Sequence, residues 1–420
     1  MSFQQGLSGL NASSRNLEVI GNNVANANTY GAKAARAEFA DMYANSMNGA
    51  GNNDVGIGVQ LASVAQQFTQ GNITTTSNPM DLAINGAGFF QVSDGKNPPM
   101  YSRNGQFKID SDGFIVNDQG LQLLGYSATP QGVIVPSKAA PIQLPTAGIN
   151  PQATGNIKME MNLDASAAVT APAAGGINFN DPTTYNNATS VTVYDAKGQN
   201  VALTYYFQKA ATDQWNVYAT ANGSPVSTDA AGNPLPVTTI QFPANGGTPI
   251  APAGAVAVNV PATNPAGGGA TLPIPNIQLD LSGATEYGAS FGVTNLTQDG
   301  YAPGQLSGIT IDKAGVILAS YSNGQSKPAG QVEIADFRNP QGLQPMGGNA
   351  WASTYASGNP IVGVPGDGNL GVLQSGALEE SNVDITAELV NMITAQRAYQ
   401  ANAQTIKTQD QVLQTLVNLR

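Results

Sequence analysis

The sequence has no cysteine and no histidine among its 420 residues. The chain therefore cannot form disulfides, Cys/His zinc sites, thiol nucleophiles or acid–base relays that use an imidazole. Charged residues are scarce as well, at 10% of the chain, whereas a soluble domain typically has about 25%. The remaining polar residues form no catalytic or metal-binding motif. The sequence thus predicts a protein that is not an enzyme and that carries no cofactor or metal.

Long apolar runs and basic clusters are also missing. No run of about eighteen apolar residues exists, which is the length that a membrane-spanning helix needs. The 16 basic residues are scattered among 27 acidic ones, and the net charge of −11 leaves no patch for a phosphate backbone. We therefore expect no nucleic acid partner and no membrane insertion. The N-terminus lacks the basic and apolar regions of a cleaved signal peptide, so the protein either stays in the cytosol or leaves the cell by another route.

Three motifs have a functional and a plain interpretation. Residues 366–371 match G-x-G-x-x-G, but Pro365 precedes them and the helical pattern begins about ten residues later, so a glycine-rich loop is favoured over a nucleotide site. Asp110 and Asp112 resemble a calcium loop that lacks its twelfth-position glutamate, which favours a hairpin turn. Glu379 and Glu380 are neighbours in sequence, do not converge as an acid–base pair would, and are predicted to be solvated.

Both ends of the chain have helical spacing of apolar residues. Near the start of the chain the apolar positions step by seven, as along a coiled-coil seam. At the other end, a second helix is predicted to begin near an N-cap at Asp384 and to run to about residue 420. Glycines at 6, 9 and 21 give the first helix poor propensity, so these ends should need each other or neighbouring subunits. The predicted assembly interface consists of Phe3, Leu7, Leu10, Leu17, Val24, Leu389, Met392, Ile393, Tyr399, Ile406, Leu413 and Leu416.

Between the ends the period changes to two, which is typical of β-strands. Ile157, Met159, Met161 and Leu163 alternate with polar residues, and turns at 110–113, 195–198 and 312–315 separate apolar strand pairs. Residues 230–279 carry no charge and are rich in proline and glycine, so they form either irregular edge strands and loops of a β domain or a mobile loop. The predicted fold class is α+β and mainly β, with long terminal helices paired as a coiled-coil-like axial domain and two nested β domains.

Several long segments resemble the bacterial flagellar axial proteins, the rod and hook family. These segments read GLNASSRNLEVIGNNVANANTYGAKAARAEFADMY, TQGNITTTSNPMDLAINGAGFFQVSDG and YSRNGQFKIDSDGFIVNDQGLQLLGY. The tail GALEESNVDITAELVNMITAQRAYQANAQTIKTQDQVLQTLVNLR is similar to the hook members in particular. The resemblance is strong over about residues 1–126 and 372–420 and moderate over 300–371. Residues 45–54 look longer than in the simplest hook members.

The resemblance implies a subunit of the hook, a short curved hollow tube that acts as a universal joint between rod and filament. It implies an axial helical domain with a connecting segment at 1–70 and 372–420, an inner β domain at 71–139 and 286–371, and an inserted outer β domain at 140–285. Two alternatives stay open. One is the distal rod protein, a rigid drive shaft, and the other is a secreted β-rich enzyme that acts on polysaccharides. The length of the chain and its inserted β domain favour the hook.

The same resemblance implies a set of partners and a location. The chain would form a homopolymer and contact the distal rod protein, the hook cap protein, the hook–filament junction protein, the hook-length control protein and the flagellar type III export apparatus. It would be located in the extracellular flagellum, in the basal body and hook region, and would be exported without a cleaved signal peptide.

Overall fold

The computed structural model describes residues 2–42, 56, 58–129, 132–145, 148–170, 176–264 and 269–418. The sequence stretch at 45–54 lies outside these residues. Helix α1 spans Ser2–Ala25 and helix α2 spans Ile385–Asn418, and almost all the regular structure between them is β. The prediction of a mainly β chain with two terminal helices that pack together is confirmed. No helix in the described residues is long and apolar enough to cross a membrane.

The strands follow one another along the chain in three groups. The first group is β1 (Ala35–Met42), β2 (Gly58–Gln66), β3 (Ile73–Thr75), β4 (Leu82–Asn85), β5 (Phe89–Ser93), β6 (Met100–Ser102), β7 (Lys108–Ile109), β8 (Ile115–Val116), β9 (Gln122–Ser127) and β10 (Ala140–Pro141). The second is β11 (Asn156–Asp164), β12 (Asn187–Tyr194), β13 (Asn200–Ala211), β14 (Gln214–Ala221), β15 (Ser224–Pro225), β16 (Thr238–Gln241), β17 (Val256–Val260), β18 (Ile274–Asp280), β19 (Thr285–Tyr287) and β20 (Gly292–Gln298). The third is β21 (Leu306–Ile311), β22 (Val316–Tyr321), β23 (Ser326–Val332), β24 (Ile334–Asp336), β25 (Gln344–Gly347), β26 (Ala350–Ala352), β27 (Ile361–Gly363), β28 (Val372–Ser375) and β29 (Ala377–Glu379).

The chain divides into two compact units. The first contains residues 1–146, 308–320 and 326–420, and the second contains 147–307 and 321–325. In the first unit the main sheet has the order β21-β22-β23-β9-β5-β6-β26-β25, and its core includes Leu82, Phe90, Ile115, Leu123 and Val332. The three-domain division expected from the sequence, with its boundaries, stays a prediction.

The second unit is a β-sandwich. One sheet is β17-β18-β11-β19 with β20 beside β11, and the other is β12-β13-β14-β15 with β16 beside β14. Ile157, Met159, Met161 and Leu163 are all buried in a single core shared by the two sheets. The alternation in the sequence therefore identified the inward face of β11 correctly, because alternate side chains of a strand point to opposite faces.

The three predicted hairpin turns share one local device. In each, Oδ1 of the leading aspartate accepts a hydrogen bond of 2.8 Å from the backbone N–H four residues later, at Asp110, Asp195 and Asp312 respectively. A glycine with positive φ follows at the fourth turn position, at 113, 198 and 315, where a Cβ would be strained. The turn interpretation is confirmed at all three, and at Asp110 it replaces the calcium-loop alternative.

Two further expectations from the sequence concern loops. The described part of residues 230–279 contributes the edge strands β16 and β17 and most of β18, which lies between β17 and β11. The segment is therefore part of a β domain, as expected, but it is not confined to sheet edges. Residues 265–268 lie outside the described residues. The glycine motif at 366–371 lies between β27 and β28, and helix α2 begins only at Ile385, so its position does not match the strand-to-helix junction of a dinucleotide site.

Candidate assembly interface

Helices α1 and α2 form an antiparallel pair. A Cβ on Gly6 would lie 3.2 Å from Cγ1 of Ile406, and one on Gly9 would lie 2.8 Å from Nδ2 of Asn402. Near the other end of the pair, Nδ2 of Asn23 donates a 3.1 Å hydrogen bond to Glu388. As the residue number rises along α1, the number of the residue that it contacts in α2 falls. The two helices therefore run side by side in opposite directions.

The start of α2 follows the predicted cap. Oδ1 of Asp384 accepts hydrogen bonds from the backbone N–H groups of Thr386 at 2.8 Å and Ala387 at 3.1 Å. These are two of the donors that the first turn of a helix leaves unpaired. The helix then begins at Ile385, one residue after the cap, as the sequence predicts.

The predicted interface residues divide into two groups in the single chain. Half-buried between the helices and their neighbours are Leu10, Leu17, Val24, Met392 and Ile406. Exposed, each with at least 38% of its surface accessible, are Phe3, Leu7, Leu389, Ile393, Tyr399 and Leu413. The side chain of Leu416 lies outside the described residues. Their role in assembly stays a prediction, but one chain alone clearly does not cover the second group.

Small residues make the close contact between the helices, and sequence reasoning missed them. From the sequence, the glycines at 6 and 9 only weaken the helix, whereas in the structure they allow α2 to approach α1. Ala395 is buried, and so is Ile20 on α1. The available signal was the spacing of three between the glycines, since residues three apart lie on the same face of a helix.

The hairpin of β1 and β2 lies along a second side of α1. Nε2 of Gln5 donates a 2.6 Å hydrogen bond to the carbonyl of Gly56, and the backbone N–H of Val59 donates to Oγ of Ser8 at 3.3 Å. On this hairpin Phe39 and Leu61 face each other across the strands, and both are exposed. The hairpin therefore adds exposed apolar surface next to the helical pair.

Two asparagines fix the chain where it leaves and re-enters the helices. The amide of buried Asn23 bonds both backbone groups of Ala35, donating to its carbonyl at 2.7 Å and accepting from its N–H at 2.8 Å. Oδ1 of Asn382 accepts from the N–H of Ala34 at 2.7 Å, and its Nδ2 donates to the carbonyl of Gln67 at 2.8 Å. Side-chain amides at these points satisfy backbone groups that no strand partner satisfies.

A buried ion cluster lies beside these amides, and it corrects one prediction from the sequence. The sequence predicts a solvated Glu379, but its side chain is fully buried. One carboxylate oxygen accepts from Nζ of Lys33 at 2.6 Å and the other accepts from Nη1 of Arg103 at 3.1 Å. The prediction was wrong because Glu379 ends strand β29, which pairs with β3 inside the protein. Its neighbour Glu380 is half-buried and accepts from Asn72.

Burial changes the titration of both cations in this cluster. It lowers the pKa of Lys33 below the usual lysine value, and the attraction of Glu379 opposes that effect. Burial likewise lowers the pKa of Arg103, again against the attraction of Glu379. Desolvation of an ammonium or guanidinium ion disfavours its charged form. The negative charge of Glu379 offsets part of this cost of burying Lys33 and Arg103.

Family models match the chain in four places. The model described as "Flagella basal body rod protein" matches residues 3–33, and "Flagellar basal body rod FlgEFG protein C-terminal" matches 374–419. Between them, "Flagellar hook protein FlgE/F/G D1 domain" matches residues 83–196 and "Flagellar basal body protein FlaE D2 domain" matches 162–301. Both terminal helices and both compact units thus lie in flagellar segments.

Whole-chain relatives decide between members of this group. Proteins named "Flagellar hook protein FlgE" from Salmonella typhimurium and Escherichia coli are each 42% identical over the full length of both chains. The chain belongs to the flagellar hook protein family. Another hook protein, from Rhizobium meliloti, is 34% identical and covers all of this chain and 98% of its own. The crystal structure of Helicobacter pylori flagellar hook protein FlgE2 matches with a TM-score of 0.50 at 14% identity, over 73% of this chain and 100% of that one, which supports the fold alone.

Membership of the hook family resolves the alternatives left by the sequence. A hook protein is a structural component of a homopolymer outside the cell, and not an enzyme. The prediction of a hook subunit is confirmed over the distal rod protein and over a polysaccharide-active enzyme.

Proposed function

We propose that this hook protein polymerises through its terminal helices into a short curved tube that transmits torque as a universal joint. The observation that carries the proposal is the antiparallel α1–α2 pair, which leaves Phe3 and Leu7 of α1 and a row of apolar side chains of α2 exposed. Exposed apolar patches of this kind mark association surfaces. In a tube, neighbouring copies of the pair would cover them.

Association also supplies the stability that the helices lack alone. Burial of apolar surface contributes about 25 cal/mol per Å², whereas ordering each backbone residue costs about 1–2 kcal/mol. With glycines at 6, 9 and 21, α1 has little intrinsic preference for a helix. We infer that the pair gains its full order from contacts between subunits.

A universal joint also needs contacts that can slide. Each line of subunits must lengthen and shorten once per turn as the curved tube rotates. We propose that firm contacts between axial helices hold the tube, while weaker contacts between outer units exchange. A chain with only 10% charged residues suits this division, because strong ion pairs between outer surfaces would favour a single register.

The proposal extends to domains, export and partners. The axial domain would comprise 1–70 and 372–420, the inner β domain 71–139 and 286–371, and the inserted outer β domain 140–285. The chain would be exported by the flagellar type III apparatus without a cleaved signal peptide. At its ends the tube would meet the distal rod protein and the hook–filament junction protein, with the cap and length-control proteins acting during growth.

Charge substitutions in the helical pair test the proposal. Leu17→Asp and Ile406→Asp place a carboxylate where apolar contacts form, and burying an unpaired charge costs several kcal/mol or more. Because the cost recurs at every added subunit, both variants should abolish tube formation while the β units keep their melting temperature. Lys197→Asp, at an exposed side chain in the turn at 195–198, serves as the control and should assemble normally.

Electron micrographs and sedimentation yields of the three variants are the measurements. Normal tubes from both helix variants would contradict the proposal. Straight rather than curved tubes from the parent chain would contradict the universal-joint part of it alone.

A further inference from the structure

The chain passes between its axial helices and the β part of the first unit through one narrow ribbon. It leaves the hairpin after Gln66 and enters β3, and it returns along β29 before α2 begins. Strands β3 and β29 pair with each other antiparallel, with Glu379 opposite Ile73. An isolated two-stranded ribbon is only marginally stable by itself, so additional contacts must hold this crossing in place.

Glu379 supplies such contacts on the helical side of the crossing. Its Oε1 accepts from Nζ of Lys33 at 2.6 Å and from the backbone N–H of Gly71 at 2.8 Å, and its own carbonyl accepts from the N–H of Gly31 at 2.8 Å. Lys33 also donates to the carbonyl of Thr69 at 2.8 Å. Glu379 therefore ties the segment between α1 and β1 and the segment between β2 and β3 to strand β29.

Arg103 ties the same carboxylate to the β part. Its Nη1 donates to Oε2 of Glu379 at 3.1 Å and to the carbonyl of Ile84 at 3.3 Å, while Nη2 donates to the carbonyl of Gly86 at 2.8 Å. The side chain of Arg103 is only 6% exposed. Hydrogen bonds between ionised partners are roughly twice as strong as those between neutral groups.

The backbone is closely packed around this cluster, with no room for a side chain at two of its glycines. A Cβ on Gly31 would lie 2.4 Å from the backbone nitrogen of Asn104, and one on Gly71 would lie 2.0 Å from the carbonyl oxygen of Glu380. Nearby, the ring of Phe68 packs edge-on against Phe89 with centroids 5.6 Å apart. That aromatic contact adds apolar support, whereas the charged hydrogen bonds fix direction.

We propose that Lys33, Glu379 and Arg103 form a rigid coupling that passes torque from the β part of each subunit to its axial helices. This inference rests on the proposed function, and it concerns only the crossing between the axial helices and the β part of the first unit. Glu379 is the positioning residue, because its side chain bonds to Lys33 after α1, to Gly71 before β3 and to Arg103 in the β part.

The absence of native cysteine permits a direct test. Cysteines at Asn11 on α1 and Lys108 on β7, both exposed, can carry spin labels in an otherwise cysteine-free chain. Labelled chains are diluted into an excess of unlabelled chains, assembled into tubes, and the distance distribution between the labels is measured by double electron–electron resonance. The parent should give one narrow distance peak, and Glu379→Gln should lose it to a broad distribution.

A matched control separates coupling from general stability. Glu286 in the second unit is also a buried carboxylate, bonded to Nε1 of Trp215 at 3.0 Å and paired with Lys209 at 3.4 Å. Glu286→Gln should lower the melting temperature and leave the label distance narrow. If Glu379→Gln does not fold, Lys33→Met keeps the Glu379–Arg103 pair and should broaden the distribution in the same way.

A narrow peak in folded Glu379→Gln or Lys33→Met, equal to that of the parent, would overturn the coupling. Failure of the parent chain to form tubes would instead count against the proposed function.

Discussion

Gly6 of α1 faces Ile406 of α2 so closely that a Cβ on the glycine would lie 3.2 Å from Cγ1 of the isoleucine. Residues from the two ends of the sequence thus set the separation of the two helices. Larger residues at the glycine positions would hold the helices apart and remove van der Waals contact along the pair.

Gly9 gives the sharper test of this close approach. A Cβ there would meet the amide of Asn402 at 2.8 Å, and although the amide could rotate away from alanine, it cannot yield to a leucine. We expect Gly9→Leu to separate the helices and abolish tube assembly, as judged by sedimentation and electron microscopy. Gly21→Ala is the control, because its Cβ would meet nothing within 4 Å, and it should stabilise the helix by about 1 kcal/mol. Normal tubes from Gly9→Leu would refute the close packing.

Ile393 distinguishes contacts within a subunit from contacts between subunits. Its side chain is 52% exposed in the single chain, so Ile393→Asp should leave the melting temperature of the unassembled chain unchanged. If neighbouring copies cover it, the same substitution should prevent assembly, because a carboxylate would be buried without a partner. The comparison is between melting by circular dichroism and polymer yield. A normal polymer yield would show that this face of α2 is not an interface between subunits, and a lowered melting temperature would show that Ile393 packs within its own chain.

Glu333 predicts a pH dependence of stability. Burial raises the pKa of its carboxyl above the usual 4.5, and the neighbouring polar side chains of Tyr126 and Gln91 oppose that effect. A raised pKa in the folded state means that the contribution of Glu333 to stability is complete below pH 4.5 and declines as the pH rises through the folded-state pKa. The protein should therefore lose stability as this carboxyl ionises.

Glu333→Gln should accordingly melt at a higher temperature than the parent at pH 7, and at the same temperature below pH 4.5. Glu18→Gln, at an exposed site on α1, is the control. Its difference in melting temperature from the parent should not shrink as the pH falls. Thermal melts of the unassembled chains over this pH range are the measurement. A glutamine variant that is less stable at pH 7 would mean that the ionised carboxylate is well satisfied.

The boundary of the outer domain predicts different behaviour for two fragments. The predicted domain is residues 140–285. A fragment with these bounds would end within β19 and would lack β20, and both strands pair with β11, β20 along six residues. We expect a fragment of residues 148–307 to melt cooperatively with a β-type circular dichroism spectrum. The shorter fragment should melt at a lower temperature. Equal melting of the two would show that β20 adds little to the unit.

Local signals in the sequence predicted much of the fold. The cap at Asp384, the alternation along β11 and the aspartate–glycine turns each depend on residues within a few positions of one another, so they can be read without knowing the tertiary structure. The division of the apolar helix residues into covered and exposed groups could not be read in this way. It depends on the register between α1 and α2, which the glycines at 6 and 9 set.

The ion cluster could not be predicted for the same reason. Glu379 is 346 residues from Lys33 and 276 from Arg103, and its immediate neighbours gave no sign of a partner. An adjacent pair of glutamates is usually solvated. In this protein one member of the pair ends a buried strand, and only the folded chain brings its two cations to it.

The antiparallel pairing of α1 with α2 also means that only a nearly complete chain can form the helical pair. The contact between Asn23 and Glu388 spans 365 residues, so the helical pair cannot close until nearly the whole chain is present. Contacts with such large sequence separation form late, because a long loop must close first. A chain that stops between residue 325 and α2 contains the whole second unit and could still fold it. It would have no partner for α1, however, and under the proposed assembly it could not join the tube. Under the proposed assembly, the polymer would therefore exclude subunits that lack α2.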